Sequence, residues 1–165
     1  MSEIRLNLGC SVFKISGLTN VDIDPSVNPD LLLDLKDLDK HFEPNSVDFI
    51  MAGHVFEHFS YMDSLSVMAK CFSILKPLHN LVLVVPDYTK CTDLKIEDAE
   101  RIILAGGQHK ILCDSVRIKN MLKSVGFQCT IEITDLKQVP FIIVPDIHNP
   151  NPESWQTAFV AFKLP

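Results

Sequence analysis

No Cys-x-x-Cys pair occurs anywhere in the 165 residues. The five cysteines (Cys10, Cys71, Cys91, Cys113 and Cys129) are scattered and odd in number. A disulfide framework or a zinc knuckle needs paired spacing, so the pattern reads as reduced, mostly buried thiols of a cytoplasmic protein. The opening "MSEIRLNLGC" lacks a basic flank followed by an apolar core, so no signal peptide is expected. No apolar run reaches the length of a membrane span, and no membrane partner is expected. Positive charge is short as well: 15 Lys and Arg against 21 Asp and Glu leave a formal net charge of −6. A surface of that sign repels phosphate backbones, which argues against nucleic acid as a partner. Neither an internal repeat nor a low-complexity tract interrupts the chain.

What the chain does have is apolar residues, at 47% of the total, enough for a single domain over 1–165 with a real core. Strand patterns recur along it. "IRLNLG" (4–9) alternates and meets a glycine, "LTNVDID" ends in acids, and "DLLLDL" is short and apolar. "SVDFIMAG" (46–53) also stops on glycine, and "NLVLVVPD" (80–87) is the near-continuous apolar run of a central parallel strand. "QCTIEIT" and "TAFVAFK" complete the set. Three helices are expected between them. The first carries Leu65, Met68, Phe72 and Leu75, enters at "SYMD" and ends at Lys76-Pro77. The second runs over 93–105 and stops at Gly106-Gly107. The third starts at Asp114 or Ser115, turns Val116, Met121, Leu122 and Val125 inward, and ends at Gly126.

This succession predicts an α/β domain: a Rossmann-like, open, mostly parallel twisted sheet of about seven strands with the last strand antiparallel. Only about ten residues separate the first two strands, and fewer the second and third, too few for crossover helices. The early helices of the full fold are therefore missing. Ligands of such sheets sit outside the carboxyl ends of the strands. That rule selects Gly9, Cys10 and Ser11, then Asp22, Ile23 and Asp24, then Asp34 and Leu35, then Gly53 and His54, then Pro86 and Asp87. Asp24 reads as a turn or cap beside Pro25, and Asp34 equally as a cap of the following turn.

One pentapeptide points elsewhere. "HVFEH" (54–58) fits H-x-x-E-H, in which two histidines one helical turn apart bind zinc and the glutamate activates water. Such a site needs the motif inside a helix and a further ligand downstream. Here it follows a strand directly, while Glu132 falls in a strand pattern and Glu153 in a loop. His109, after the double glycine, reads as a surface residue. No metal is therefore expected. His54, Glu57 and His58 read instead as substrate-pocket residues able to move a proton, or as a tether for the next helix.

The segments "LNLGCSVFKISGLTNVDIDP", "DLLLDL", "NSVDFIMAGHVFEHF" and "ILKPLHNLVLVVPD", in that order, resemble the class I S-adenosylmethionine-dependent methyltransferases, in particular their short type-11-like members. The resemblance covers about residues 4–87 and continues through "GGQ" and "LKSVGF". It implies S-adenosylmethionine as cofactor. Gly9, Cys10 and Ser11 would face its methionine part, and Asp22, with Ile23 next to it, the ribose. Asp34 and Leu35 would flank the adenine, and Gly53 and His54 would lie near the transferred methyl. The methyl acceptor is expected to be a small molecule or a sugar-type compound. Two departures stand out: Ser11 replaces the second glycine of the family's G-x-G loop, and "KPLHN" replaces its "KPGG". They motivate an alternative reading, a methyltransferase-like binding or assembly module without catalysis.

The missing helices carry a further expectation. One face of the sheet should lack its usual cover. Either residues 93–105 or the loop 139–150 fold back over it, or a second copy covers it through a two-fold axis. The homodimer is preferred, because the loop is proline-rich and the helix has only a narrow apolar stripe.

Overall fold

The computed structural model describes residues 3–92, 95–133 and 155–165. Seven strands form, one at each stretch read as a strand: β1 (Arg5–Leu8), β2 (Thr19–Asp22), β3 (Leu31–Leu32), β4 (Val47–Gly53), β5 (Leu75–Pro86), β6 (Cys129–Ile133) and β7 (Gln156–Phe162). The helices are α1 (Leu38–His41), α2 (Tyr61–Ile74), α3 (Ile96–Leu104) and α4 (Ser115–Ser124). The strands make one sheet in the order β3-β2-β1-β4-β5-β7-β6. Pairing is parallel from β3 through β5, and β7 runs antiparallel between β5 and β6. The expected architecture is thus present, and the strand order reverses between β1 and β4. That switch point opens a crevice at the carboxyl ends of both strands.

Local chemistry explains the helix limits. The Ser60 hydroxyl accepts from the Asp63 N–H at 3.2 Å and starts α2, and Asp114 accepts from the Arg117 N–H at 2.8 Å and starts α4. Leu75 is already extended, with φ −69° and ψ 135°, so it opens β5 rather than closing α2 as the periodicity implied. In α4 the buried stripe is Ile118, Met121 and Leu122, whereas Val116 is 69% exposed. Positions 118, 121, 122 and 125 repeat at i, i+3, i+4 and i+7; Val116 lies off that line. Residues 93–94 and the loop 139–150 lie outside the described residues, so neither the start of the second expected helix nor that loop's fold-back enters the account.

No helix joins β1 to β2, and the β2–β3 link holds only a turn at Pro25–Val27. The two faces of the sheet are consequently built differently. On the first face, Leu6, Leu8, Ile50, Leu81, Leu83 and Phe159 pack against α1, α2 and α4 in one apolar cluster. On the second, the β1–β2 connection itself folds over the sheet. Its Ile15 and Leu18 join Met51, Val82, Val84 and Ala158. Beside this cluster the cover is polar. Asn7 Nδ2 donates to Phe13 O at 3.0 Å and to Asn20 Oδ1 at 2.9 Å, and Ile15 N–H donates to the same oxygen at 2.8 Å. Asn20 Nδ2 then reaches Asp30 Oδ2 at 2.6 Å. Both asparagines are buried, so each of these bonds satisfies a group that water cannot reach.

Candidate functional site

The chain ends of β1, β2 and β4 enclose a cavity of about 400 Å³. Of the predicted residues, Gly9, Ser11, Asp22, Ile23, Asp34, Leu35, His54 and His58 line it, together with Asp24, Lys36 and Phe59. Cys10, Gly53 and Glu57 do not. Cys10 is buried, and burial, then the charge of Asp22, push its thiol pKa up.

The loop after β1 is held by the acid at the end of β2. Asp22 Oδ2 accepts from Ser11 N–H at 2.8 Å, and Oδ1 from Asp24 N–H at 3.0 Å. Gly9 turns with φ +60°, and an added Cβ would stand 2.7 Å from a Val55 methyl. The absent side chain is what lets the loop close on the segment after β4. Ser11 adopts φ 45° and Leu78, in "KPLHN", φ 67°. Both departures from glycine thus keep the left-handed backbone that glycine would take, at a cost of about 1–2 kcal/mol each. Asp24 caps the Pro25–Val27 turn through Ser26 N–H at 2.8 Å, and Asp34 caps Leu35–Asp37 through Lys36 N–H at 2.9 Å. Asp34 is therefore both a cap and a cavity residue.

"HVFEH" forms no α-helix. His54 follows β4 with φ 55°, and Phe56–His58 is a single 3-10 turn. His54 Nδ1 meets Glu57 Oε1 at 3.0 Å, and Nε2 meets Gln156 Oε1 at 2.8 Å. Both partners accept, so the ring donates at both ends. Burial alone would lower its pKa, but the hydrogen bond and charge of Glu57, with the bond to Gln156, outweigh it and raise the pKa. His54 thus lines the cavity with both ring nitrogens engaged by side chains of the chain itself. Glu57 has a side chain with 0% exposure and does not line the cavity. It orients His54 instead. His58 lines the cavity.

One residue was missed. His109, read as a surface group, is half-buried, and its ring centroid lies 4.9 Å from that of His58. Lys110 N–H donates to the Glu57 carbonyl at 2.7 Å, which draws the loop after α3 onto the 56–58 turn. Nothing in local spacing announces a contact across fifty residues. The Gly106-Gly107 turn was the available signal, since it folds the chain back at the end of α3.

No family model matches the chain, and no curated protein does. Solved structures do. A SAM-dependent methyltransferase from Archaeoglobus fulgidus superimposes with a TM-score of 0.70 at 17% identity, covering 98% of this chain and 86% of that one. The complex between the Haloferax volcanii Trm112 methyltransferase activator and the putative methyltransferase gives 0.66 at 15%, covering 99% and 83%. Phosphoethanolamine N-methyltransferase 2 from Haemonchus contortus, solved with S-adenosyl-L-methionine, gives 0.64 at 16%; this chain is covered completely and spans 49% of that protein. At these identities the likeness is one of fold, and the fold is that of the class I methyltransferases.

Proposed function

We propose that the chain is an S-adenosylmethionine-dependent methyltransferase acting on a small-molecule or sugar-type acceptor. The observation that carries this reading is the composition of the switch-point cavity. Its wall holds three carboxylates, Asp22, Asp24 and Asp34, against one lysine, Lys36. That charge repels a dinucleotide's phosphates and suits a cationic sulfonium nucleoside. The residues fit such a group. Gly9 lines the cavity with bare backbone, and Ile23, 63% exposed, and Leu35 offer apolar surface for a flat ring. Each Asp22 oxygen has one backbone donor and retains acceptor capacity for a ribose hydroxyl. The cofactor would supply an activated methyl group. The protein's own share is to orient the acceptor, exclude water and take a proton at His58.

A non-catalytic module is the second reading, favoured by the engagement of both Asp22 oxygens in holding the loop. Thermal melting with S-adenosylmethionine and S-adenosylhomocysteine separates the two. A ligand bound only by the folded state raises its stability by about 2.7 kcal/mol at a hundredfold excess over Kd. No shift with either compound overturns the methyltransferase reading.

The two-fold dimer is likewise a proposal. Ile131, 53% exposed and in register with Val160 on the second sheet face, supports it. Light scattering that returns only 18.6 kDa at every concentration removes it.

A further inference from the structure

A carboxylate oxygen of Glu57 and one ring nitrogen each of His58 and His109 lie within 4.8 Å of one another. The backbone makes this meeting firm, through Lys110 N–H on the Glu57 carbonyl at 2.7 Å and His109 N–H on the Leu104 carbonyl at 3.4 Å. His109 Nδ1 is 3.1 Å from the Ile103 carbonyl. A carbonyl only accepts, so Nδ1 carries the proton and Nε2 the lone pair. Metal-bound histidines are held in this way, one nitrogen on the ion and the other donating to a carbonyl or carboxylate.

Glu57 supplies a second, independent observation. Its side chain has 0% exposure, its Oε1 is taken by His54, and its Oε2 has no hydrogen-bond partner among the described residues. A buried carboxylate oxygen without a donor costs free energy until a proton, a water or a cation answers it.

We propose that Glu57, His58 and His109 form a binding site for a single divalent transition-metal ion of the zinc type. Two imidazoles and one carboxylate are the donor set of open zinc sites, and the absence of thiolate distinguishes the site from closed structural ones. Magnesium and calcium prefer oxygen ligands throughout. Tetrahedral bonds of about 2.0 Å place ligand atoms about 3.3 Å apart, so side-chain rotation of about 1.5 Å closes the cluster. This is not the peptidase arrangement that "HVFEH" first evokes. His54 is no ligand, and Glu57 binds the ion rather than activating water. His58 belongs both to the triad and to the cavity wall, so the ion stands at the cavity's edge. With the ion bound, His58 is a ligand and no longer a free base. The site rests on these contacts alone and stands whether or not the chain transfers methyl groups.

The test uses the full chain, stripped with a chelator and titrated with zinc chloride by calorimetry in the absence of any nucleoside. The expected result is one ion per chain, bound about a hundredfold more weakly in both His109→Ala and Glu57→Gln. Far-ultraviolet circular dichroism verifies that both variants stay folded. Cobalt should give visible d–d bands without a thiolate charge-transfer band. Uptake weaker than about 0.1 mM overturns the site. So does tight binding that survives His109→Ala in a folded chain, or a charge-transfer band that assigns the metal to a cysteine.

Discussion

The two faces of the sheet solve one problem with different materials. The helical face covers its strands with Met68, Cys71, Ile74, Ile118, Met121 and Leu122, an apolar layer that any of several shapes would fill. The loop face, at its β1–β2 end, is covered by a ten-residue connection pinned by Asn7, Asn20 and Asp30. A helix satisfies its own backbone before it packs; an irregular loop laid over a sheet does not, and must borrow donors and acceptors from side chains. The comparison explains why two asparagines, poor strand formers, sit at paired positions of adjacent central strands. It also places the switch-point cavity on the loop that lacks a helix, where the bonds of Asp22 that hold the loop also form the cavity wall.

Breaking the helical face should cost most. Leu81→Ala removes a fully buried side chain beneath the helices and is expected to cost about 3 kcal/mol, read from the urea midpoint at constant slope. Asn20→Ala leaves Ile15 N–H without its acceptor, removes one of the two partners of the Asn7 amide, leaves Asp30 only the backbone N–H, and should cost about 2–3 kcal/mol. Asn20→Leu sharpens the contrast: if apolar cover sufficed here, it would be neutral, and it is expected to destabilise nearly as much as Asn20→Ala. Third in size is Asp22→Ala, which should weaken S-adenosylhomocysteine at least tenfold by calorimetry, about 1.4 kcal/mol. An unchanged Kd there removes Asp22 from the cofactor site. Smaller still, Ser11→Gly should raise stability by about 0.5 kcal/mol, the left-handed strain relieved less the added chain entropy of glycine.

Acid reaches the loop face without mutation. The Asn20 backbone N–H, then its side chain, hold the Asp30 carboxyl below its ordinary range. A depressed folded pKa means that this contribution is complete above the unfolded value of about 3.9 and is lost as pH falls through the folded one. Asp30→Asn is expected to flatten the acid limb of the stability curve while leaving the limb near neutrality in place.

The strands and their ends were legible because parallel, doubly buried strands write themselves as apolar runs stopped by Gly or Asp. Gly9, Asp22, Asp34 and His54 could be placed at the cavity from that alone. What lay beyond reading was the state of each group once placed. Nothing in "HVFEH" shows that Gln156, about a hundred residues away, takes the second nitrogen of His54. Nor does "GGQHK" show that His109 returns to His58. Helical spacing misassigned Val116 because a valine near a helix start looks apolar whichever way it points. The loop's cover escaped because asparagines in a strand pattern read as interruptions rather than as anchors.

The position of β7 sets an order of events. β6 is the edge strand and its neighbour is β7, which follows it in the chain and also pairs along β5 from Asn80↔Phe162 to Pro86↔Gln156. β6 reaches the rest of the sheet only through β7, which itself must find a strand some eighty residues earlier. Loop closures of that span must be made before any ladder bond rewards them, which places the final insertion among the slow steps of folding. Until then the edge of β5, whose second half from Leu81 to Pro86 is buried in the finished sheet, stands open to any extended chain that arrives first.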